Sequence, residues 1–311
     1  MAKVEKTQRK RVEDVFSALF CGAVAGAVAK TTVAPLDRTK ILFQTSTMQF
    51  SLKTAAKLLV KMYEENGIRS LWRGNSATMA RIMPYAAIQF MAHEQFKNLL
   101  RQNSQSTKPL KSPGRRFLAG SLAGVTASSL TYPLDLVRAR MAVSHQEDYR
   151  DLIQSFRALM RGGSILRLYH GFVPTVLGIA IYSGISFFTY ESLKKNFTDG
   201  EKKRDLRLRE RFFFGALAGI CGQSTSYPLD IVRRRMQTSG TLGGGHSALG
   251  LTSAIAQDYG TLRSTALHVI SSEGIRRGMY KGLSLNWIKG PIAVGVSFTV
   301  YDLLTKFIRE T

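Results

Sequence analysis

The sequence predicts an all-α membrane protein, with six transmembrane helices in three pseudo-threefold repeats and a short amphipathic helix inside each repeat. Two observations lead there. Phe117–Leu134, Gly171–Tyr190 and Phe212–Leu229 run for 18 to 20 residues without Asp, Glu, Lys or Arg, and a helix needs roughly 20 apolar residues to cross a bilayer core. The chain also repeats itself, because CGAVAGAVAKTTVAPLDRTK, AGSLAGVTASSLTYPLDLVR and FGALAGICGQSTSYPLDIVR align without gaps.

Taken in order, residues 1–12 form a polar N-terminal tail. Met1–Asp14 mixes five bases with three acids and lacks the apolar core of a secretory signal, so no cleavable targeting segment is expected. The repeats follow at 13–104, 112–200 and 207–309. Three weaker spans complete the set of six: Val15–Leu36 (interrupted by Lys30) and Ala77–Ala92 (by Arg81) in the first repeat, and Leu283–Tyr301 (by Lys289) in the third. Leu52–Glu64 reads as the amphipathic helix of the first repeat. The third repeat is longer, and its extra residues fall in Thr238–Gly260, whose Gly243-Gly244-Gly245 marks a flexible loop. From hydropathy alone, buried helices of a soluble α-protein are the competing reading.

Composition narrows the partners. The 311 residues carry 44 Lys and Arg against 21 Asp and Glu, a formal charge of +23, with 44% hydrophobic residues. Such a balance suits nucleic acid, a membrane surface or a polyanionic small molecule. Two cysteines, Cys21 and Cys221, make no disulfide framework. There is no metal-ligand cluster, no cofactor signature, and no nucleophile–base pattern of an enzyme. A nucleic-acid-binding protein would string its bases along one polar face. Here they recur at fixed places between apolar spans, so nucleic acid is not the expected partner.

Those fixed places carry the function. Pro35, Pro133 and Pro228 each precede an acid by two residues and a base by five: Asp37 and Lys40, Asp135 and Arg138, Asp230 and Arg233. Proline inside a helix removes one hydrogen bond and kinks the axis. Acid and base at i and i+3 share a helix face, and charges at the ends of apolar helices are costly unless paired. Around a pseudo-threefold axis each acid can reach the neighbouring repeat's base. Gly22/Gly26, Gly120/Gly124 and Gly215/Gly219 form small-x-x-x-small pairs that suit close helix packing. Farther on come Trp72-Arg73-Gly74, Tyr169-His170-Gly171 and Tyr280-Lys281-Gly282, and then Glu94, Glu191 and Asp302.

This threefold Pro-x-Asp-x-x-[Lys/Arg] pattern, with its glycine pairs and aromatic-basic-Gly segments, resembles the mitochondrial carrier family over roughly residues 13 to 307. The resemblance implies a three-fold barrel around a water-filled cavity in the inner mitochondrial membrane, acting as a monomer by alternating access. Both termini would face the intermembrane space. It implies a matrix gate of three ion pairs: Asp37–Arg138, Asp135–Arg233 and Asp230–Lys40. Glutamines nine residues after the proline brace such pairs; Gln44 and Gln237 fit, whereas Ala142 does not. A second base follows at Arg140 and Arg235, with Leu42 in its place in the first repeat. The cytoplasmic gate would use Glu94, Lys97, Tyr190, Glu191, Lys194, Tyr301 and Asp302, through Glu94–Lys194 and Asp302–Lys97. Thr305 stands where a third base is expected, so this gate is expected to be the weaker one. The aromatic-basic-Gly segments would bind cardiolipin headgroups at the starts of helices, where free N–H groups favour anions, with His170 weakening the second site.

The cavity's charge selects the cargo. Arg81 and Lys289 lie inside apolar helices, where inward placement is favoured and a pair of bases suits phosphates. Arg81, Tyr85 and Gln89 share one helix face. In nucleotide-type members of the family a Gly with an apolar neighbour on the fourth helix makes the adenine slot, and Gly184-Ile185 is assigned to it. SLWRGNSATMARIMPYAAIQFMAHEQFK, GISFFTYESLK and MYKGLSLNWIKGPIAVGVSFTVYDL resemble the coenzyme A-type carriers within the family. That wording implies import of coenzyme A in exchange for adenine nucleotides such as ADP or adenosine 3′,5′-bisphosphate. Other adenine-nucleotide carriers of the ATP-Mg/phosphate type and a dephospho-coenzyme A carrier remain the alternatives.

Overall fold

The computed structural model describes residues 2–102, 113–144, 149, 151–161, 164–200, 207–240 and 259–310. Ten α-helices follow one another among these residues: α1 (Ala2–Thr45), α2 (Leu52–Asn66), α3 (Asn75–Gln102), α4 (Pro113–Leu130), α5 (Tyr132–Val143), α6 (Leu152–Met160), α7 (Phe172–Gly200), α8 (Leu208–Thr238), α9 (Leu262–Glu273) and α10 (Leu283–Glu310). The long helices close a ring in chain order, and α10 returns to α1. The most extensive packing joins different repeats, α3 to α4, α7 to α8 and α10 to α1. Each repeat therefore contributes two staves, and none is a bundle by itself.

The bundle is apolar on its outside. Phe90, Phe188, Phe212 and Phe298 are all more than two-thirds exposed or close to it, at 73%, 69%, 75% and 67%. A continuous outer surface of this kind fits lipid contact. Helices as long as α1, 44 residues, exceed a bilayer core, so their polar ends stand in water. Ile165–Phe197 and Ile275–Ile308 are the stretches long and apolar enough to cross a membrane by length and hydropathy among the described residues.

Three expectations need correction. The polar tail 1–12 is not separate, because α1 begins at Ala2 and continues through it without a break. Proline does not act alike in the three repeats. Pro35 and Pro228 lie inside continuous helices, whereas the second apolar run breaks at Thr131, with φ −95° and ψ 5°, just before Pro133. Thr131 keeps its helical bond to the Ala127 carbonyl, 3.1 Å from the backbone and 2.8 Å from the hydroxyl, and the tightening comes after it, where Leu134 N–H closes on the Thr131 carbonyl at 3.2 Å. The third correction concerns the glycine pairs. A side chain at Gly22, Gly26, Gly120, Gly124, Gly215 or Gly219 would meet nothing within 4 Å. The helices are splayed here, and Gly120, Gly124, Gly215 and Gly219 border the central cavity. Close packing falls to Gly222 instead, whose Cβ would stand 2.9 Å from the Tyr182 carbonyl oxygen. Of the loop expected at Thr238–Gly260, residues 241–258 lie outside the described residues.

The amphipathic helix of the first repeat, Leu52–Asn66, buries Ala55, Leu58 and Met62 against Ile41, Leu42 and Phe43 of α1. Equivalent clusters gather under α6 and α9. These short helices lie at the end of the bundle where the prolines are, which they cover. Cys21 is buried and Cys221 half-buried, both as free thiols in helices.

Candidate functional site

At the proline level α1, α5 and α8 converge, and the three acids meet the bases of the neighbouring repeats. Arg138 Nη2 donates to Asp37 at 2.7 Å, Arg233 Nη2 to Asp135 at 2.5 Å, and Lys40 Nζ to Asp230 at 2.7 Å. Local structure explains the meeting. Each base sits one turn beyond its own acid, so the acid turns toward one neighbouring helix and the base toward the other. Gln44 Nε2 donates to Asp230 and Gln237 Nε2 to Asp135, at 3.2 and 2.9 Å. Each glutamine also donates to a buried tyrosine, Gln44 to Tyr227 at 3.2 Å and Gln237 to Tyr132 at 3.1 Å. Those tyrosines stand immediately before Pro228 and Pro133. At the third seam Ala34 replaces the tyrosine and Ala142 the glutamine, so both halves of the brace are missing together.

A second ring lies beyond the first. Arg140 Nε donates to the Gln237 carbonyl at 3.0 Å and Arg235 Nε to the Gln44 carbonyl at 3.1 Å. Leu42 occupies the third such position. Arg38, one helical turn earlier on the same face, closes the ring by donating Nε to the Ala142 carbonyl at 3.0 Å. Its Nη1 reaches the Ser70 carbonyl as well. Arg38 is 2% exposed. Nothing in the triplicated pattern marked it. Glu273 was also missed; it pairs with Arg235 and Lys281 at the end of α9.

The aromatic-basic-Gly segments serve as close-approach points. Gly74, Gly171 and Gly282 have φ of 86°, 83° and 80°, a backbone state that favours glycine. A Cβ there would stand 3.0 Å from the Arg138 carbonyl oxygen, 3.2 Å from that of Arg233 and 3.8 Å from Lys40 Cγ. Each repeat thus rests a glycine on the next repeat's gate base. Trp72 donates to the Thr31 carbonyl at 2.8 Å, while Tyr169 and Tyr280 stack on Tyr132 and Tyr227. Lys281 is buried, donating to the Ser46 carbonyl at 2.8 Å besides pairing with Glu273. His170 lies against the Tyr259 carbonyl at 2.9 Å. Arg73 has partners within the protein too.

Above the ionic floor opens a cavity of about 890 Å³, toward the upper end of the roughly 300–1,000 Å³ usual for small-molecule sites. Five bases (Lys40, Arg81, Arg233, Arg234 and Lys289) and one acid, Asp230, line it among the described residues. Arg81, Tyr85 and Gln89 all face it, and the Arg81 guanidinium sits 5.2 Å over the Tyr85 ring. Arg81 and Lys289 are inward-facing as expected, yet both also touch the floor: Arg81 Nη1 lies 3.1 Å from Asp135 and Lys289 Nζ 2.6 Å from Asp37.

The residues expected to form an adenine slot lie off the cavity wall. Gly184 and Ile185 do not line the cavity. Gly178, Ile179, Tyr182 and Ser183 of α7 do. Helical phase is the reason: a lining face repeats every three to four residues, and Gly184-Ile185 falls just off it. Gly178 approaches Leu229 of α8, whose Cβ would be 3.8 Å from an added methyl group. Gly178→Leu is expected to cut transport at least tenfold by filling that side of the cavity, while Gly184→Leu leaves it within about twofold. Uptake rates of the two variants in liposomes check this.

The opposite mouth is open. Glu94 and Lys194 form no ion pair, nor do Asp302 and Lys97; Lys97 instead meets Glu94 of its own helix at 3.3 Å. Glu191 and Tyr301 are half-buried, Asp302 is exposed, and Tyr190 lines the cavity. The predicted bridges are therefore apart in this conformation, because α3, α7 and α10 splay where the floor end converges.

Comparison with known proteins agrees with this architecture. The family pattern described as "Mitochondrial carrier protein" matches residues 12–104, 110–201 and 204–311. A "Mitochondrial coenzyme A transporter" from Xenopus laevis is 53% identical over 301 residues, which is 97% of this chain and 88% of that protein. The human protein of the same name is 52% identical over 296 residues, 95% of this chain and 89% of its own. "Solute carrier family 25 member 16" of Mus musculus is 38% identical over 307 residues, covering 93% and 87%. The chain belongs to the mitochondrial carrier family, as a multi-pass transporter of the inner mitochondrial membrane and not an enzyme.

Proposed function

We propose that this carrier imports coenzyme A into the mitochondrial matrix in exchange for adenine nucleotides such as ADP or adenosine 3′,5′-bisphosphate. The observation that carries the reading is the cavity, with its five bases against one acid beside the Gly178–Ile179 slot. Phosphate oxygens suit guanidinium and ammonium groups held in a partly desolvated site, and a planar purine suits a slot with no side chain at its centre. The relatives named as mitochondrial coenzyme A transporters support the same cargo.

The mechanism follows from the two ends. The floor pairs Asp37–Arg138, Asp135–Arg233 and Asp230–Lys40 act as the matrix gate, closed in this conformation. Anionic cargo competes with Asp135 and Asp37 for Arg81 and Lys289, which loosens the floor from above. Each pair is worth only a few kcal/mol in a semi-polar cavity, small enough for bound substrate to offset. In the alternate state the floor parts, and Glu94–Lys194 and Asp302–Lys97 close the mouth, with Tyr190 and Tyr301 beneath them and Glu191 lacking a base from the third repeat. The glycines bordering the cavity then give the splayed helices room to approach. Cardiolipin headgroups bind where α3, α7 and α10 begin, through backbone N–H groups, since the Lys281 ammonium is already engaged.

Purified protein in liposomes loaded with ADP is expected to take up labelled coenzyme A, and not to do so without internal nucleotide. Robust uptake of dephospho-coenzyme A or ATP with no coenzyme A uptake would move the assignment to those carriers.

A further inference from the structure

The positive charge of the floor is unevenly shared. Asp230 faces one cation, Lys40, and Asp37 faces Arg138 and Lys289. Asp135 faces three: Arg81 at 3.1 Å, Arg233 at 2.5 Å and Arg234 at 3.5 Å. Its corner therefore holds two more positive charges than one carboxylate balances. Arg234 does not duplicate the gate base beside it. Its contact with Asp135 is long, its stronger bond is to Gln237 Oε1 at 2.8 Å, and it lines the cavity. The Arg234 side chain is 11% exposed, and its Nε is buried with no hydrogen-bond partner. Arg233 Nε is buried and unpartnered in the same way, so what an arriving phosphate meets is the part of the Arg234 guanidinium that lines the cavity.

Chemistry identifies that phosphate. A phosphomonoester carries about 1.5 to 2 negative charges near neutral pH, whereas each phosphorus of a bridging diphosphate in a diester carries about one, spread over a longer span. A doubly cationic corner suits the monoester. Its location suits it too. Gly178 of the slot packs on Leu229 of α8, five residues before Arg234 on the same helix, and a phosphate on the ribose of the slotted adenosine stays near that helix.

Resting on the proposed coenzyme A reading, we infer that Arg234, with Arg81 across the corner, forms a subsite for the 3′-phosphomonoester of the adenosine moiety, so that Arg234 sets the preference for 3′-phosphorylated cargo over its dephospho counterpart.

Direct binding tests this on the full-length carrier in lipid nanodiscs, with adenosine 3′,5′-bisphosphate and adenosine 5′-monophosphate as probes. The native protein is expected to prefer the bisphosphate. Arg234→Gln is expected to weaken the bisphosphate about tenfold to a hundredfold, the size of a lost charge-assisted contact, and the monophosphate by no more than about twofold. Arg234→Lys, which keeps the charge and disturbs the fold less, retains part of the preference. An unchanged ratio in both variants, or equal loss of both probes, overturns the subsite. A native protein that binds both probes alike also overturns it and leaves the cargo assignment standing. Failure to bind either probe, together with no uptake of coenzyme A, sinks the cargo assignment itself.

Discussion

Asp135→Asn is expected to lower the unfolding midpoint by roughly 10 °C and to abolish transport. Asp135 is 2% exposed and accepts from Arg81, Arg233, Arg234 and Gln237. The amide keeps the volume but turns an NH₂ toward donors and leaves three guanidiniums without their shared counter-charge. Breaking a buried pair by removing one partner costs about 3–5 kcal/mol, and about 2–4 °C per kcal/mol is usual at this size. The contrast within the molecule makes the test sharper. Asp37 serves two cations and Asp230 one, so the loss should rank Asp135→Asn above Asp37→Asn above Asp230→Asn. Thermal unfolding of the three proteins in detergent gives the order. Equal losses would mean that the ion pairs act as a ring whose members are interchangeable, against the uneven charge sharing described above.

The second large effect concerns Arg38. Arg38→Leu is expected to destabilise the carrier by about 2–4 kcal/mol, because it strips the buried Ala142 carbonyl and the half-buried Ser70 carbonyl of their charged donor. Leu42→Arg alone should also destabilise, since Leu42 is buried among Phe43, Leu58 and Met62 and the acceptor is taken. Together the two changes restore the arrangement of the other repeats, where Arg140 and Arg235 occupy the position of residue 42. The double variant Arg38→Leu/Leu42→Arg is therefore expected to regain at least half of what the single changes lose. Additive losses, measured by the same unfolding experiment as a double-mutant cycle, would show that Arg38 does not stand in for the missing base.

Much of this was legible in the chain because repetition turns weak signals into strong ones. One Pro-x-Asp-x-x-base could be noise, but three in register fix which acid turns toward which neighbour, and the structure brings Asp37 to Arg138, Asp135 to Arg233 and Asp230 to Lys40. Arg81 and Lys289 were readable for a related reason, as isolated charges that an apolar helix would not turn to lipid. What stayed hidden lacked either periodicity or contrast. The α7 run from Gly171 to Tyr190 has no charge to mark its inward face, so Gly184-Ile185 is assigned by its distance from the Glu191 signature, while helical phase puts Gly178 and Ile179 on the cavity wall. Arg38 lay one turn away from the motif position, and Arg234 was concealed inside Arg233-Arg234-Arg235. The glycine pairs had the right spacing for tight packing, but the splayed conformation puts them at the edge of open space. The break at Thr131 sets the second repeat apart, a difference that the identical Pro-Leu-Asp wording of the three repeats cannot express.

The twin alanines, Ala34 and Ala142, have a mechanical consequence. Two joints of the floor are mortised with tyrosine and glutamine as well as charge, whereas the joint between the first and second repeats holds through Asp37, Arg138 and Lys289, with Arg38 tethered beyond them. A trapdoor hung this way does not lift level: it swings from its two fitted edges and gives first along the plain one, where mobile ions from solution can most easily stand in for the latch.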